Sequence, residues 1–157
     1  LVAKLMRQLT EDGAYEVPEE LKEKIQSLFW AGCCGDAETK QTIGRVWQEH
    51  HYLCDTHTAV AWNVAQQYKA ANPAHAPVVV LSTASPYKFP AAVLEGLGEK
   101  AEGDEFAVME QLERLTGVPA PKNLRGLRER PVRHTTVLDR EEMLPFVLEK
   151  AQEKQWF

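Results

Sequence analysis

The seven residues Pro77-Val78-Val79-Val80-Leu81-Ser82-Thr83 constrain this chain more than any other stretch. Consecutive β-branched side chains lose rotamer freedom in a helix and favour extended backbone. Because apolar side chains fall on both faces, the run is expected to be an interior strand of a parallel sheet rather than a half-solvated one. No apolar run in the sequence approaches the ~20 residues that cross a bilayer, so no membrane partner is expected.

Around this run the periodicity alternates between helix and strand. Leu1, Leu5, Met6 and Leu9 share a helical face that Gly13 ends. Pro18 opens a second helix whose stripe is Leu21, Ile25, Leu28 and Phe29. Asp36 is placed to cap a helix from Ala37 to about Glu49, with Ile43, Val46 and Trp47 inward. Tyr52-Leu53-Cys54 reads as a short buried strand, and Asp55 or Thr58 caps the next helix, which runs to Asn72-Pro73. Pro86 starts a turn into a helix through Val93, Leu94 and Leu97, closed by Gly98. Glu105 to Leu115 is helical, residues 117–130 are a Pro/Gly/Arg-rich connector, and Val132 to Leu138 reads as a last strand. Asp139 caps a last helix that Pro145 should kink. This alternation predicts an α/β chain, a three-layer αβα sandwich with a mostly parallel sheet, forming a single domain over residues 1–157.

Composition narrows the function classes. With 18 Lys+Arg against 23 Asp+Glu, the net charge of −5 argues against a phosphate-backbone binder, so no nucleic-acid partner is expected. Cys33, Cys34 and Cys54 are an odd count that suggests no secreted disulfide framework; a reducing, cytoplasmic setting is expected. The chain starts at Leu1 without an initiator Met or a signal-peptide cleavage site, and reads as a processed chain or a piece of a longer one.

Open α/β sheets bind ligands beyond the carboxyl ends of their strands. Two segments are expected there with polar groups in series: Cys54-Asp55-Thr56-His57-Thr58, and Ser82-Thr83-Ala84-Ser85-Pro86-Tyr87-Lys88. Each leads into a helix whose first N–H groups could receive an anion. Asp55, Thr58 and Ser85 would serve equally as simple N-caps, and His57 as a satisfied structural histidine. A metal centre from His50, His51, Cys54 and His57 lacks a second ligand pair at conventional spacing, so no metal is expected. A Cys54/His57 nucleophile pair would straddle a bend that need not bring sulfur to imidazole.

Both segments carry a family likeness. Tyr52-Leu53-Cys54-Asp55-Thr56-His57-Thr58-Ala59-Val60-Ala61 resembles the Asp-Pro/Thr-His-Thr-Ala-Val motif of threonine synthases. Val79 through Pro90 resembles that family's Leu-x-Thr-Ala-His-Pro-x-Lys-Phe motif, and Phe29-Trp30-Ala31-Gly32 before an acidic turn agrees as well. Thr56, Ser85 and Tyr87 stand where proline, histidine and a small residue are frequent, yet Ser85-Pro86 keeps the turn chemistry.

The resemblance implies a lyase of amino-acid biosynthesis with the tryptophan-synthase-β-like fold (fold type II). Such an enzyme uses pyridoxal phosphate to convert O-phospho-L-homoserine and water to L-threonine and phosphate. It further implies the C-terminal portion of the large domain of a longer chain. The Schiff-base lysine and the cofactor-phosphate loop would lie in a missing N-terminal portion, the fragment's natural partner, so the fragment alone should bind the cofactor weakly and be inactive. No catalytic residue is assigned within these 157 residues. By motif position Thr83, with Ser82 in reserve, would donate to the cofactor's ring nitrogen. Asp55, His57 and Thr58 would wall the substrate pocket, and Lys88 would steady the second turn. Two rivals are a non-catalytic stand-alone binding domain and another pyridoxal-phosphate lyase such as a threonine dehydratase.

Overall fold

A computed structural model describes residues 1–74 and 76–153. Residues Leu1–Pro121 form one compact unit, and the chain from Lys122 onward forms a second.

In the first unit the helices begin and end where local chemistry dictates. Helix α1 (Val2–Asp12) ends on Gly13, whose φ of 73° closes the last turn through an N–H donated to the Leu9 carbonyl. Helix α2 (Glu19–Gln26) follows Pro18 and stops before Leu28 and Phe29, which are exposed instead of completing its stripe. Helix α3 (Asp36–His50) starts one residue earlier than the sequence suggests: Gly35 is its N-cap, and the Glu38 carboxylate accepts the Gly35 N–H at 3.0 Å. Helix α4 (Thr56–Ala71) is capped by Asp55. Helices α5 (Pro90–Gly96) and α6 (Glu105–Thr116) complete the unit, with Gly117 as a left-handed cap at φ 69°.

The core lies among α3, α4, α5 and α6, where Ile43, Val46, Ala59, Val93, Leu94, Val108 and Leu112 are buried. Helices α3 and α5 approach through glycines. A methyl group on Gly44 would collide with the Gly96 carbonyl oxygen, and one on Gly96 would sit 2.8 Å from the Lys40 carbonyl oxygen. Lys40 and Glu95 pair across the same contact, and this hydrogen-bonded partner raises the Lys40 pKa above its ordinary value.

In the second unit, helix α7 (Lys122–Arg125) is one turn, and helix α8 (Met143–Glu153) follows a 3-10 turn at Arg140–Glu142 that Asp139 precedes. Pro145 is the third residue of α8, in a first turn where a missing N–H breaks no helical bond, so the sequence-predicted mid-helix kink has no basis.

The expected three-layer sandwich is overturned. Among the described residues there is no strand and no sheet. Residues 76–83 belong to no helix, strand or bridge, and no neighbouring backbone lies against them in a ladder. Val79 is 82% exposed and Leu81 73% exposed. β-branching fixes the conformation of one backbone, whereas a sheet needs a second one hydrogen-bonded ~4.8 Å away. The other two expected strands supply none: residues 51–55 form the connector between α3 and α4, and in the second unit residues 132–137 are exposed, with Leu138 half-buried. Among the described residues no helix is long and apolar enough to cross a membrane.

Candidate functional site

The two motif segments lie far apart in sequence and meet in the first unit. The connector between α3 and α4 turns at His51, in the left-handed region at φ 51°, and buries Leu53 and Cys54. It ends at Asp55, which has no exposed surface. One Asp55 oxygen accepts the His57 N–H at 2.9 Å and the Thr58 N–H at 3.3 Å, and the other accepts the Thr58 hydroxyl. Asp55 is thus a fully used N-cap that satisfies the start of α4.

Around this cap the expected residues separate by exposure. Thr58 is buried, while the His57 side chain is 63% exposed. His57 Nδ1 lies 3.4 Å from Asp55 Oδ1, and its ring leans on Phe89 of the second segment with centroids 5.5 Å apart. In that second segment Ser85 caps the 3-10 turn Pro86–Lys88, accepting the Tyr87 N–H at 3.3 Å. Tyr87 is buried and donates its hydroxyl proton to the Val118 carbonyl oxygen, so the residue that departs from the motif ties this turn to the end of α6. The Lys88 side chain is exposed. Ser82 lies 3.3 Å from the Thr58 hydroxyl and accepts the Tyr52 phenol at 3.0 Å. Thr83 is exposed, and its hydroxyl has no hydrogen-bond partner among the described residues.

Beneath Ser82 is a cavity of about 310 Å³, lined by Val46, Tyr52, Cys54, Thr58, Trp62 and Val80. Its lining combines apolar side chains with the hydroxyls of Tyr52, Thr58 and Ser82. A second cavity of about 510 Å³ is lined by His57 together with Cys34, Asp36, Thr39, Lys40 and Thr56.

Cys54 and the histidines do not converge. Burial, helped by the neighbouring Asp55 charge, pushes the Cys54 thiol up to about 11, so it is protonated and unreactive near neutral pH. His50 packs on Trp62 and His51 on Trp47. Among the described residues no three His, Cys, Asp or Glu side chains cluster as metal ligands.

Tyr52 lines the cavity beneath Ser82, a placement that sequence reasoning passes over. Read as part of a short buried strand, it is instead half exposed with its hydroxyl on Ser82. Its position at the head of the first motif was the available signal.

The family model described as threonine synthase, C-terminal, matches residues 58–147. Threonine synthase-like 2 from Homo sapiens is 36% identical over 90 residues, covering 57% of this chain and 19% of that protein. Threonine synthase-like 1 from Macaca fascicularis is 33% identical over 97 residues, covering 62% and 13%. A crystal structure of pyridoxal-phosphate-bound threonine synthase from Brucella melitensis superposes with a TM-score of 0.73 at 29% identity, over 97% of this chain and 28% of that one. The chain therefore spans 13–19% of these curated relatives and just over a quarter of the solved enzyme.

Proposed function

Because the chain belongs to the threonine synthase C-terminal family, we propose that it supplies one wall of a pyridoxal-phosphate site at which O-phospho-L-homoserine and water become L-threonine and phosphate. When bound, the cofactor supplies an electron sink for negative charge developing on the amino-acid carbons. This chain's contribution is a neutral hydroxyl donor for the ring nitrogen. A hydroxyl donates to an unprotonated pyridine, whereas an ionised carboxylate has no proton to give.

The observation that carries the reading is the state of the Thr83 hydroxyl: exposed, without a partner, and next to a serine whose hydroxyl is already engaged. The donor set fits the ring nitrogen at Thr83 better than at Ser82. On this reading Asp55 and Thr58 hold the start of α4 in place, His57 forms an exposed edge of the pocket, and Lys88 offers a cation to the anionic substrate. The covalent attachment of the cofactor belongs to residues outside these 157, so the chain alone is inactive. The setting proposed is the cytoplasm.

The test measures phosphate release from O-phospho-L-homoserine with pyridoxal phosphate present, for this chain and for the longest reading frame that contains it. Expected are no release by the chain alone, release by the longer protein, and at least a hundredfold loss on Thr83→Val in it. A longer protein that instead makes ammonia and a keto acid from threonine would replace this reading with a dehydratase; one that does neither would leave a binding domain.

A further inference from the structure

The connector between α3 and α4 is joined to the extended segment by a line of four oxygen groups. Tyr52 donates to Ser82 Oγ at 3.0 Å, Ser82 Oγ lies 3.3 Å from Thr58 Oγ1, and Thr58 meets Asp55 Oδ2. Asp55 accepts two backbone N–H groups with its other oxygen and meets the Thr58 hydroxyl with Oδ2. The Thr58 hydroxyl is within donating reach of both Asp55 Oδ2 and Ser82 Oγ, and the Ser82 oxygen also accepts the Tyr52 phenol. The line joins Tyr52, Ser82, Thr58 and Asp55.

We infer that Tyr52 is a positioning residue: by closing this relay it fixes the Ser82 side chain and thereby sets where Thr83 presents its hydroxyl. Ser82 is bonded to the start of α4 while its neighbour Thr83 is exposed, so fixing the Ser82 side chain restrains the backbone from which Thr83 projects. The two bonds at Ser82 tie its side chain to Tyr52 of the connector and to Thr58 at the start of α4. The purpose assigned to the relay rests on the proposed function; its existence does not.

The decisive variant is Tyr52→Phe, which keeps the ring of a residue that is 47% exposed and removes one proton. In the 157-residue chain without cofactor, NMR couplings report the Ser82 χ1 rotamer, and exchange with water reports the buried Thr58 hydroxyl proton. One Ser82 rotamer is expected in the wild type. In Tyr52→Phe, averaging is expected, with at least fivefold faster Thr58 hydroxyl exchange and an unchanged Tm. Thr58→Ser should preserve the single Ser82 rotamer, and Thr58→Val should lose it. A Ser82 rotamer already averaged in the wild type, or unmoved by Tyr52→Phe, overturns the relay. Pyridoxal phosphate titrated into the longest reading frame should bind three- to tenfold more weakly in Tyr52→Phe; equal affinity with a mobile Ser82 overturns the positioning role. A wild-type protein that binds no cofactor yet keeps both NMR signatures overturns the proposed function and supports the relay.

Discussion

Residues 51–55 and residues 76–85 perform the same local task, since each carries the backbone in non-helical conformation to a capped helical turn. Their surroundings could hardly differ more. The first stretch buries Leu53, Cys54 and Asp55; the second leaves Val79, Leu81 and Thr83 exposed. The first joins two long helices that pack on each other, so both ends are held within a few residues and Asp55 satisfies the helix start locally. The second is held by side-chain bonds at Ser82 and by the Ser85 cap, both near its C-terminal end. Helices and caps close their hydrogen bonds within one stretch of chain, whereas an extended run depends on what lies beside it.

The contrast breaks most readily in the helical core. Leu94 is fully buried among α3, α5 and α6, and Leu94→Ala should cost about 2–5 kcal/mol in urea unfolding. A cost below about 1 kcal/mol would show that the stability resides elsewhere.

A smaller effect sharpens the buried side of the comparison. The Cys54 thiol titrates at about 11 when folded and near 9 when unfolded. Between those values the unfolded chain has already released its proton and the folded chain has not. Stability should therefore be full below pH 9 and fall as pH rises through 11. The loss should be on the order of 1–2 kcal/mol, allowing for screening by nearby solvent. Cys54→Ala should flatten this dependence, as measured by urea midpoints at pH 8 and pH 10.5.

The smallest effect belongs to the exposed stretch. Val79→Thr should change stability by less than about 0.5 kcal/mol, because the side chain has little to lose. A larger change in the same unfolding experiment would mean that residues 76–85 unfold as one piece with the helices.

These energetics explain how far the amino acids alone could be read. Gly13, Asp55, Ser85 and Gly98 announce their turns because a cap or a left-handed residue acts within three or four positions. The helices α3 to α6 follow from apolar spacing for the same reason. The sandwich failed because Val78–Leu81 states a backbone conformation and says nothing about which backbone lies alongside. At the site, Thr58, Ser82 and Thr83 stand out through the motifs, but the roles separate only in three dimensions. Nothing in the order of residues says that Tyr52 reaches across thirty positions to Ser82, or that Lys88 is exposed while its neighbour Tyr87 does the tethering.

The Tyr87–Val118 bond has a further consequence. Helices α5 and α6 and the turn between them form a noose whose neck is tied by that phenol and carbonyl. Loop-closure free energy changes only slowly with length, by about 0.6 kcal/mol per doubling. Residues added or removed around Lys100–Gly103 would then be absorbed inside the noose, leaving the hydroxyls of Ser82 and Thr83 where they are. Untying the knot at Tyr87 would instead be felt four residues upstream, at the place proposed to face the cofactor.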